Sequence, residues 1–570
     1  MKKWSVRPKA NSKYYAQFPD ISKTILDLLY YRIPRTKEAL EEFFHPDYEK
    51  DVHDPFIFCD MQKAVARVFE AISRKEKIAI FGDYDVDGIT SSNVLWSTLS
   101  ELGAKLEIYI PDRKQEGYGM NKNALKILKE KKVKLILTVD CGIRDLKEAE
   151  QAKKIGIDLI ITDHHLPGEI LPEAFAIINP KVKGEKYPFK ELAGVGVAFK
   201  FASAIIKKAS RGKFIKGYEK WLLDLVALGT IADMVPLVGE NRTLVKYGLI
   251  VLSKTKREGI KAIFNSAKVP LSPSSPPNSN QIGFFVAPRL NAAGRMDHAN
   301  SSFELLRTKI TKKATQIAEE LEEKNSRRQH LTDKIVKEVE ARINLKNKLV
   351  FEGDESWPVG ILGLVAGKIC EKYARPAFIY HISGAGKCQG SIRSIKEFKV
   401  VKNLEEIKEL LSSFGGHDFA GGFSFDAYNK EKIKRNLNRL ADQKLREEDL
   451  ILEIEIDKLI KLKEINWDLY NELKKMEPFG MGNASPLFLA KGVELFQCNM
   501  VGNGNKHLKM WLKEDGQIFE SIAFGKGEEH SKLISRPNTK VDIVFEISSD
   551  EWNGEKKLQL YVRDLRLSSE

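Results

Sequence analysis

Three apolar runs in the first third of the chain each stop on an acidic residue. Lys77–Gly82 runs into Asp83, Asp85 and Asp87, residues 135–139 run into Asp140, and residues 159–162 run into Asp163, His164 and His165. With further strand-like runs at 106–110 and 176–178, and helical patterns between them, they give the βαβ rhythm of a doubly wound parallel sheet. Strands of such a sheet end along one edge, where ligands bind. Carboxylates and imidazoles distant in the sequence are therefore expected to meet. Gathered in one place, such groups repel or shift their pKa values unless a cation neutralises them. The pattern points to a metallohydrolase.

The chain has 570 residues, room for three or four domains. No apolar run approaches the roughly 20 residues of a membrane helix. The opening Met-Lys-Lys-Trp-Ser-Val-Arg-Pro lacks the apolar stretch of a signal peptide. Five cysteines stand apart with no C-x-x-C pair, which suits a reducing cytoplasm and argues against a thiolate zinc site. A cytoplasmic monomer without membrane attachment is expected. The net charge of +14 suits a polyanionic partner. Residues 251–350 hold 19 Lys+Arg against 10 Asp+Glu, whereas 451–570 hold 17 against 20. Any electrostatic track is thus expected in the first 450 residues.

The expected architecture is α/β. Residues 1–50 read as an arm laid on the first domain, 51–302 as the parallel-sheet domain, and 347–445 as a second, smaller α/β domain. Between them, 303–346 read either as one long connecting helix or as two helices broken near Asn325. Short alternating runs at 451–456, 507–512, 541–545 and 558–562 suggest a β-barrel over 446–570.

Asp83-x-Asp85-x-Asp87-Gly88 resembles the start of a calcium loop, but the twelfth position is Val94 and a strand precedes it. Gly88 is expected to free the backbone for helix entry. Asp140-Cys-Gly142 and Asp233, which closes an apolar run before Met-Val-Pro, also read alone as ordinary element ends. Neighbours in extended backbone point to opposite faces, so one of His164 and His165 can bind metal while the other faces substrate.

Together and in this order, the four motifs resemble the DHH phosphoesterase superfamily. Asn291-Ala-Ala-Gly-Arg295-Met, Gly390-Ser391-Ile-Arg393, Gly415-Gly416-His417 and Glu477-Pro-Phe-Gly-x-Gly-Asn483 resemble its RecJ branch of bacterial single-strand-specific DNA exonucleases, over about residues 60–570. The resemblance implies a phosphodiesterase using two Mn²⁺ or Mg²⁺ ions. Asp85, Asp87, Asp140, His164 and Asp233 would hold the metals, with catalytic Asp83 and His165 beside them. Asp163 either orients a ligand histidine or simply ends its strand. Arg113, Arg295, Ser391, Arg393, Gly415, Gly416 and His417 would meet the substrate, although the glycines equally suit tight turns. The C-terminal region resembles an OB-fold, with Trp511, Phe519 and Phe524 either as stacking platforms or as core. Its acidic balance suggests modest DNA binding, or protein docking instead. The implied activity is 5′→3′ digestion of single-stranded DNA in repair and recombination, alongside a single-strand-binding protein and a helicase. The alternative is the same core acting on short oligonucleotides or cyclic dinucleotides. A non-catalytic scaffold fits poorly with an intact carboxylate set, and a pyrophosphatase with the Gly-Gly-His segment and the barrel.

Overall fold

The computed structural model describes residues 2–113, 115–210, 212–535, 539–552 and 555–568. They form two compact units, one of residues 47–452 and one of residues 2–46 with 453–570.

In the first unit, five parallel strands lie in the order Lys105–Tyr109, Lys77–Gly82, Val133–Val139, Asp158–Thr162, Ala176–Ile178. Both faces are covered. Ile78, Ile80, Leu135, Leu137 and Ile160 pack with helices Val86–Glu101 and Gly194–Lys208. Ala79, Phe81, Ile136, Leu159 and Ile161 pack with helices Lys122–Glu130 and Leu146–Lys154. Double burial explains why these strands read as unbroken apolar runs rather than alternating ones. After the second strand the chain crosses back over the first, so the order reverses between the ends of Lys77–Gly82 and Val133–Val139. Ligands of doubly wound sheets bind at such a switch point.

The connecting segment is one helix, Thr311–Arg342, with residues 303–307 in a separate helix, Asn300–Arg307. No break occurs at Asn325, which is buried and accepts a 2.8 Å hydrogen bond from Arg328 Nη2 one turn on. The polar side chain is satisfied within its own helix, so nothing diverts the backbone. The second lobe of this unit is a five-stranded sheet ordered Ser413–Gly416, Ala420–Asp426, Lys387–Arg393, Ala377–Ile382, Val350–Asp354.

In the second unit, Phe488–Val501, His507–Glu514, Gln517–Ala523, Glu555–Leu567 and Lys540–Trp552 pair in succession, and the last pairs back with the first to close a barrel. Two expectations are corrected here. Residues 2–46 of the N-terminal segment belong to the barrel's unit, and only 47–50 to that of the parallel-sheet domain. The segment's Ile25, Leu28, Leu29, Leu40 and Phe43 share a core with the barrel's Phe488, Met510 and Phe545. Residues 453–456 are not a barrel strand but pair in parallel with Lys3–Val6. The alternating run was read correctly as a strand, but its partner lies some 450 positions away, beyond the reach of local pattern. Among the described residues, no helix is long and apolar enough to cross a membrane.

Candidate metal centre

The strand Lys77–Gly82 delivers Asp83 to the switch point. Asp85 then caps the following helix by accepting from Gly88 N at 3.1 Å, and Asp87 sits in that helix's first turn. Gly88 serves close packing rather than backbone freedom, because a Cβ there would lie 2.5 Å from the Asp83 carbonyl oxygen. The Asp87 carboxylate accepts from Gly194 N at 2.7 Å and Val195 N at 2.8 Å, the first amides of helix Gly194–Lys208. These are the unpaired donors that a helix N-terminus offers to an anion. Sequence reading missed them, since backbone donors carry no side-chain signature. The only signal was Gly-Val-Gly opening an apolar run.

Asp140 follows the central strand in the left-handed region, at φ +61°. A Cβ at Gly194 would lie 2.7 Å from its Oδ1, and one at Gly229 would lie 3.0 Å from Asp87 Oδ1, so both glycines make room for carboxylates. Asp233 caps the C-terminal end of helix Leu223–Ala232 and thereby enters the cluster. His164 Nε2 lies 3.1 Å from Asp140 Oδ1, 3.6 Å from Asp233 Oδ2 and 3.9 Å from Asp87 Oδ2.

The two histidines do not face opposite ways. The strand ends at Thr162, so strict alternation no longer applies, and the two rings lie 4.5 Å apart on the same cluster. Asp163 accepts from Ile143 N, His164 N and His165 N at 2.7–3.0 Å, and lies 2.8 Å from His165 Nδ1. It therefore orients His165, not the proposed ligand His164. Tyr118 Oη, also missed, stands 3.1 Å from the same ring nitrogen.

Three sets of donors each have their ligand atoms within 4.8 Å of one another: Asp83, Asp85 and Asp140; Asp87, His164 and Asp233; Asp140, His164 and His165. All seven expected residues thus meet, and the sets overlap at Asp140 and His164. Asp83 Oδ1, Asp140 Oδ1, Asp233 Oδ2 and His164 Nε2 are buried with no hydrogen-bond partner among the described residues. Buried polar atoms are almost always paired, so four convergent exceptions fit cations as the missing partners. Oxygen-rich sites with an imidazole suit Mg²⁺ or Mn²⁺.

The electrostatics agree. Burial, then neighbouring carboxylates, pushes Asp83, Asp140 and Asp233 well above the carboxylate range and Asp87 up to about 7. Burial and His165 push His164 down to about 3, leaving a neutral imidazole with a free lone pair. Burial alone would lower His165, but the hydrogen bond and charge of Asp163 outweigh it and raise that group. A prediction follows for the metal-free protein. Asp87 holds its proton in the folded state between its ordinary 3.8 and about 7, so the folded state binds more protons than the unfolded chain and stability falls as pH rises through that window. Thermal melts in chelator should therefore drop from pH 5 to pH 7.5, with a shallower slope for Asp87→Asn. An identical slope in both proteins contradicts this.

Of the residues expected to meet substrate, Arg113, Arg295 and Arg393 form a mutually repelling group. Arg295 is pushed down to about 10 by burial and by Arg113, Arg328 and Arg393, and Arg393 is lowered by burial and Arg113. The Arg113 guanidinium stacks 4.9 Å from the Tyr84 ring. Arg328, on the connecting helix, joins this group although no motif marks it. Such clustering of guanidinium groups beside the carboxylates of the cluster suits phosphates. Ser391 and Arg393 sit over helix Leu362–Tyr373, 3.6 and 3.5 Å from where a Cβ at Gly363 would stand. Gly415 and Gly416 pair with Gly422 and Gly421 in a hairpin. Gly416 serves the turn, at φ +140° with a Cβ position 2.3 Å from the Ala420 carbonyl oxygen, while Gly415 opens onto free space. His417 is lowered by burial and then by the charge of His165.

In the barrel, Leu508, Met510 and Leu512 point inward, so His507, Lys509, Trp511 and Lys513 line the outer face. Phe524 is half-exposed between His507 (ring centroids 4.9 Å apart) and Tyr561 (5.2 Å), with Arg563 4.3 Å over Tyr561 and Lys509 5.2 Å over Trp511. Phe519 instead packs against the core. Cations thus concentrate beside rings on a barrel whose overall balance is acidic.

Family models for the DHH family N-terminal domain, the DHHA1 domain and the RecJ OB domain match residues 77–230, 345–446 and 456–564. The chain is 38% identical over 553 residues to the single-stranded-DNA-specific exonuclease RecJ of Bacillus subtilis, covering 96% of this chain and 68% of that protein. It is 32% identical to the enzyme of that name from Haemophilus influenzae, over 90% and 92% of the two chains. It superposes on the crystal structure of Thermus thermophilus RecJ in complex with Mn²⁺ with a TM-score of 0.83 at 27% identity, covering 99% and 79% of the chains. The Mg²⁺ complex gives 0.78 at 26%, over 99% and 78%.

Proposed function

Because this chain belongs to the RecJ family, we propose that it is a single-stranded-DNA-specific exonuclease whose centre comprises Asp83, Asp85, Asp87, Asp140, His164, His165 and Asp233, using Mn²⁺ or Mg²⁺. The observation that carries the reading is the convergence of buried, unpartnered oxygen and nitrogen donors at the switch point of the sheet. Asp85, Asp87, Asp140, His164 and Asp233 are the proposed ligands. Two ions held there would supply an activated water and neutralise charge on the scissile phosphate.

The protein's own groups do the rest. The Gly194 and Val195 amides fix both oxygens of Asp87. Asp163 holds His165 at the edge of the cluster. Arg113, Arg295 and Arg393, with Ser391, receive phosphate oxygens of the strand, and the Gly415–His417 hairpin closes on it. The 5′→3′ direction, a cytoplasmic role in repair and recombination, and cooperation with a single-strand-binding protein and a helicase are proposed on family membership.

Purified protein with Mn²⁺ should release nucleotides from a single-stranded 50-mer, first from a 5′ label, and leave blunt duplex intact. Preferential cleavage of a dinucleotide would favour the short-oligonucleotide alternative, and equal digestion of duplex would defeat the reading. The barrel's outer face is proposed as a stacking platform, since a stacked base contributes about 1–3 kcal/mol. Trp511→Ala with Phe524→Ala should raise KM for the 50-mer about tenfold and leave kcat within about twofold. Steady-state kinetics with an unchanged KM would assign these rings elsewhere.

A further inference from the structure

We infer that Tyr118 is a positioning residue of this centre, its hydroxyl tying the backbone of Asp140 to the ring of His165; the inference rests on the nuclease reading above. Tyr118 Oη donates to the Asp140 carbonyl oxygen at 3.1 Å and stands 3.1 Å from His165 Nδ1. Its ring meets that of His165 edge-on, with centroids 5.7 Å apart. The hydroxyl thus turns to two residues of the cluster.

Asp140 explains why that contact matters. A non-glycine residue in the left-handed region costs about 1–3 kcal/mol and persists only where its surroundings over-determine it. Here the peptide units on both sides are held. Asp140 N donates to Thr162 O at 3.0 Å, and the Asp140 carbonyl accepts from Tyr118. The conformation aims the Asp140 carboxylate at His164. His165 Nδ1 likewise meets two partners that share its one N–H, Asp163 Oδ1 at 2.8 Å and Tyr118 Oη at 3.1 Å. A single phenol thus couples a ligand carboxylate to the adjoining histidine, the kind of outer-layer hydrogen bond whose loss typically costs 10–100-fold in metal affinity or activity.

The loop is built to deliver this residue without depending on it. Gly117 (φ +81°) and Gly119 (φ +82°) flank Tyr118 in the left-handed region. A Cβ at Gly119 would lie 2.8 Å from the Asp145 carboxylate oxygens, and Asp145 accepts from Met120 N at 2.7 Å. Glu116 accepts from Asp112 N at 2.8 Å and Tyr109 Oη at 2.7 Å. Removing the hydroxyl of Tyr118 breaks none of these contacts, so Tyr118→Phe should fold and melt like the parent.

The test compares the full-length parent, Tyr118→Phe and Tyr118→Leu in two readouts. One is Mn²⁺ binding, followed by the loss of the free-ion EPR signal. The other is the split between kcat and KM on a single-stranded 50-mer. Tyr118→Phe is expected to weaken Mn²⁺ binding about tenfold and lower kcat about tenfold, with KM within about twofold. Tyr118→Leu should be no worse in Mn²⁺ binding than Tyr118→Phe. Parent-like Mn²⁺ binding and kcat in Tyr118→Phe, or a loss confined to KM, would overturn the inference. If the parent itself failed to digest single-stranded DNA, the nuclease reading would fall, while Mn²⁺ binding would still decide the role of Tyr118.

Discussion

Asp140→Asn should lower cleavage of single-stranded DNA by about 10³-fold or more at saturating Mn²⁺, about 4 kcal/mol of transition-state stabilisation at 1.36 kcal/mol per tenfold. Asparagine is the informative substitution because it tolerates the left-handed conformation that Asp140 adopts at φ +61°. The backbone stays where it is, and only one charged oxygen is lost. Asp140 belongs to two of the three donor sets, so its lost charge is felt by both. A parallel measurement separates a metal role from a structural one. Asp140 is buried against Asp87, Asp85, Asp233 and Asp83, which with burial raise its pKa well above the ordinary range. Without cations those carboxylates repel one another, and neutralising one relieves the repulsion. The metal-free variant should therefore melt above the metal-free parent, while the rise in Tm produced by Mn²⁺ should shrink. A variant that loses activity but also melts lower, with its Mn²⁺ response intact, would make Asp140 a structural residue and remove the centrepiece of the site.

That opposition between stability and function was already visible in the sequence, and the reason is physical. Strands buried on both faces must be apolar throughout, so an aspartate at the end of each run stands out. Three of the five strands, and the meeting of Asp83, Asp85, Asp87, Asp140, His164 and His165, follow from that contrast, whereas Asp233 closes a helix and its role came from the family resemblance. What escaped notice depends on groups without such contrast. The Gly194 and Val195 amides that hold Asp87 are backbone. The left-handed turn of Asp140 is conformational, and nothing in Asp-Cys-Gly announces it. His164 and His165 do not part to opposite faces as alternation predicts, because the strand has already ended at Thr162. Arg328 and Tyr118 reach the site from a helix and a loop with no strand-end signature. The N-terminal segment was assigned to its sequence neighbour, whereas its apolar side chains pack against strands more than 400 residues away. Local pattern reports which face of an element is buried, not what buries it.

The same distinction explains the largest stability effect expected here. Lys200→Met should destabilise the first unit by about 3–5 kcal/mol, since removing one partner of a buried ion pair strands the other charge. Lys200 lies on helix Gly194–Lys208, whose first amides hold Asp87, and Glu240 lies on helix Gly239–Leu252. Both side chains are essentially without solvent contact, and they are paired. Lys200 Nζ also donates to the His53 carbonyl oxygen at 2.7 Å, while Glu240 accepts from His53 N at 3.1 Å and from Tyr187 Oη at 2.7 Å. Methionine matches the volume of the lysine stem and leaves little cavity. The cost is therefore that of an unpaired buried carboxylate. Glu240→Gln added to Lys200→Met keeps one oxygen that can accept from both Tyr187 and His53 but removes the charge, and should recover most of the loss in urea unfolding. If the double variant is no more stable than the single one, charge is not the cause, and packing of the lysine stem must be. Kinetics would add a second reading. A helix loosened at Lys200 should present its amides less firmly to Asp87, so Lys200→Met should also bind Mn²⁺ more weakly at temperatures where it remains folded.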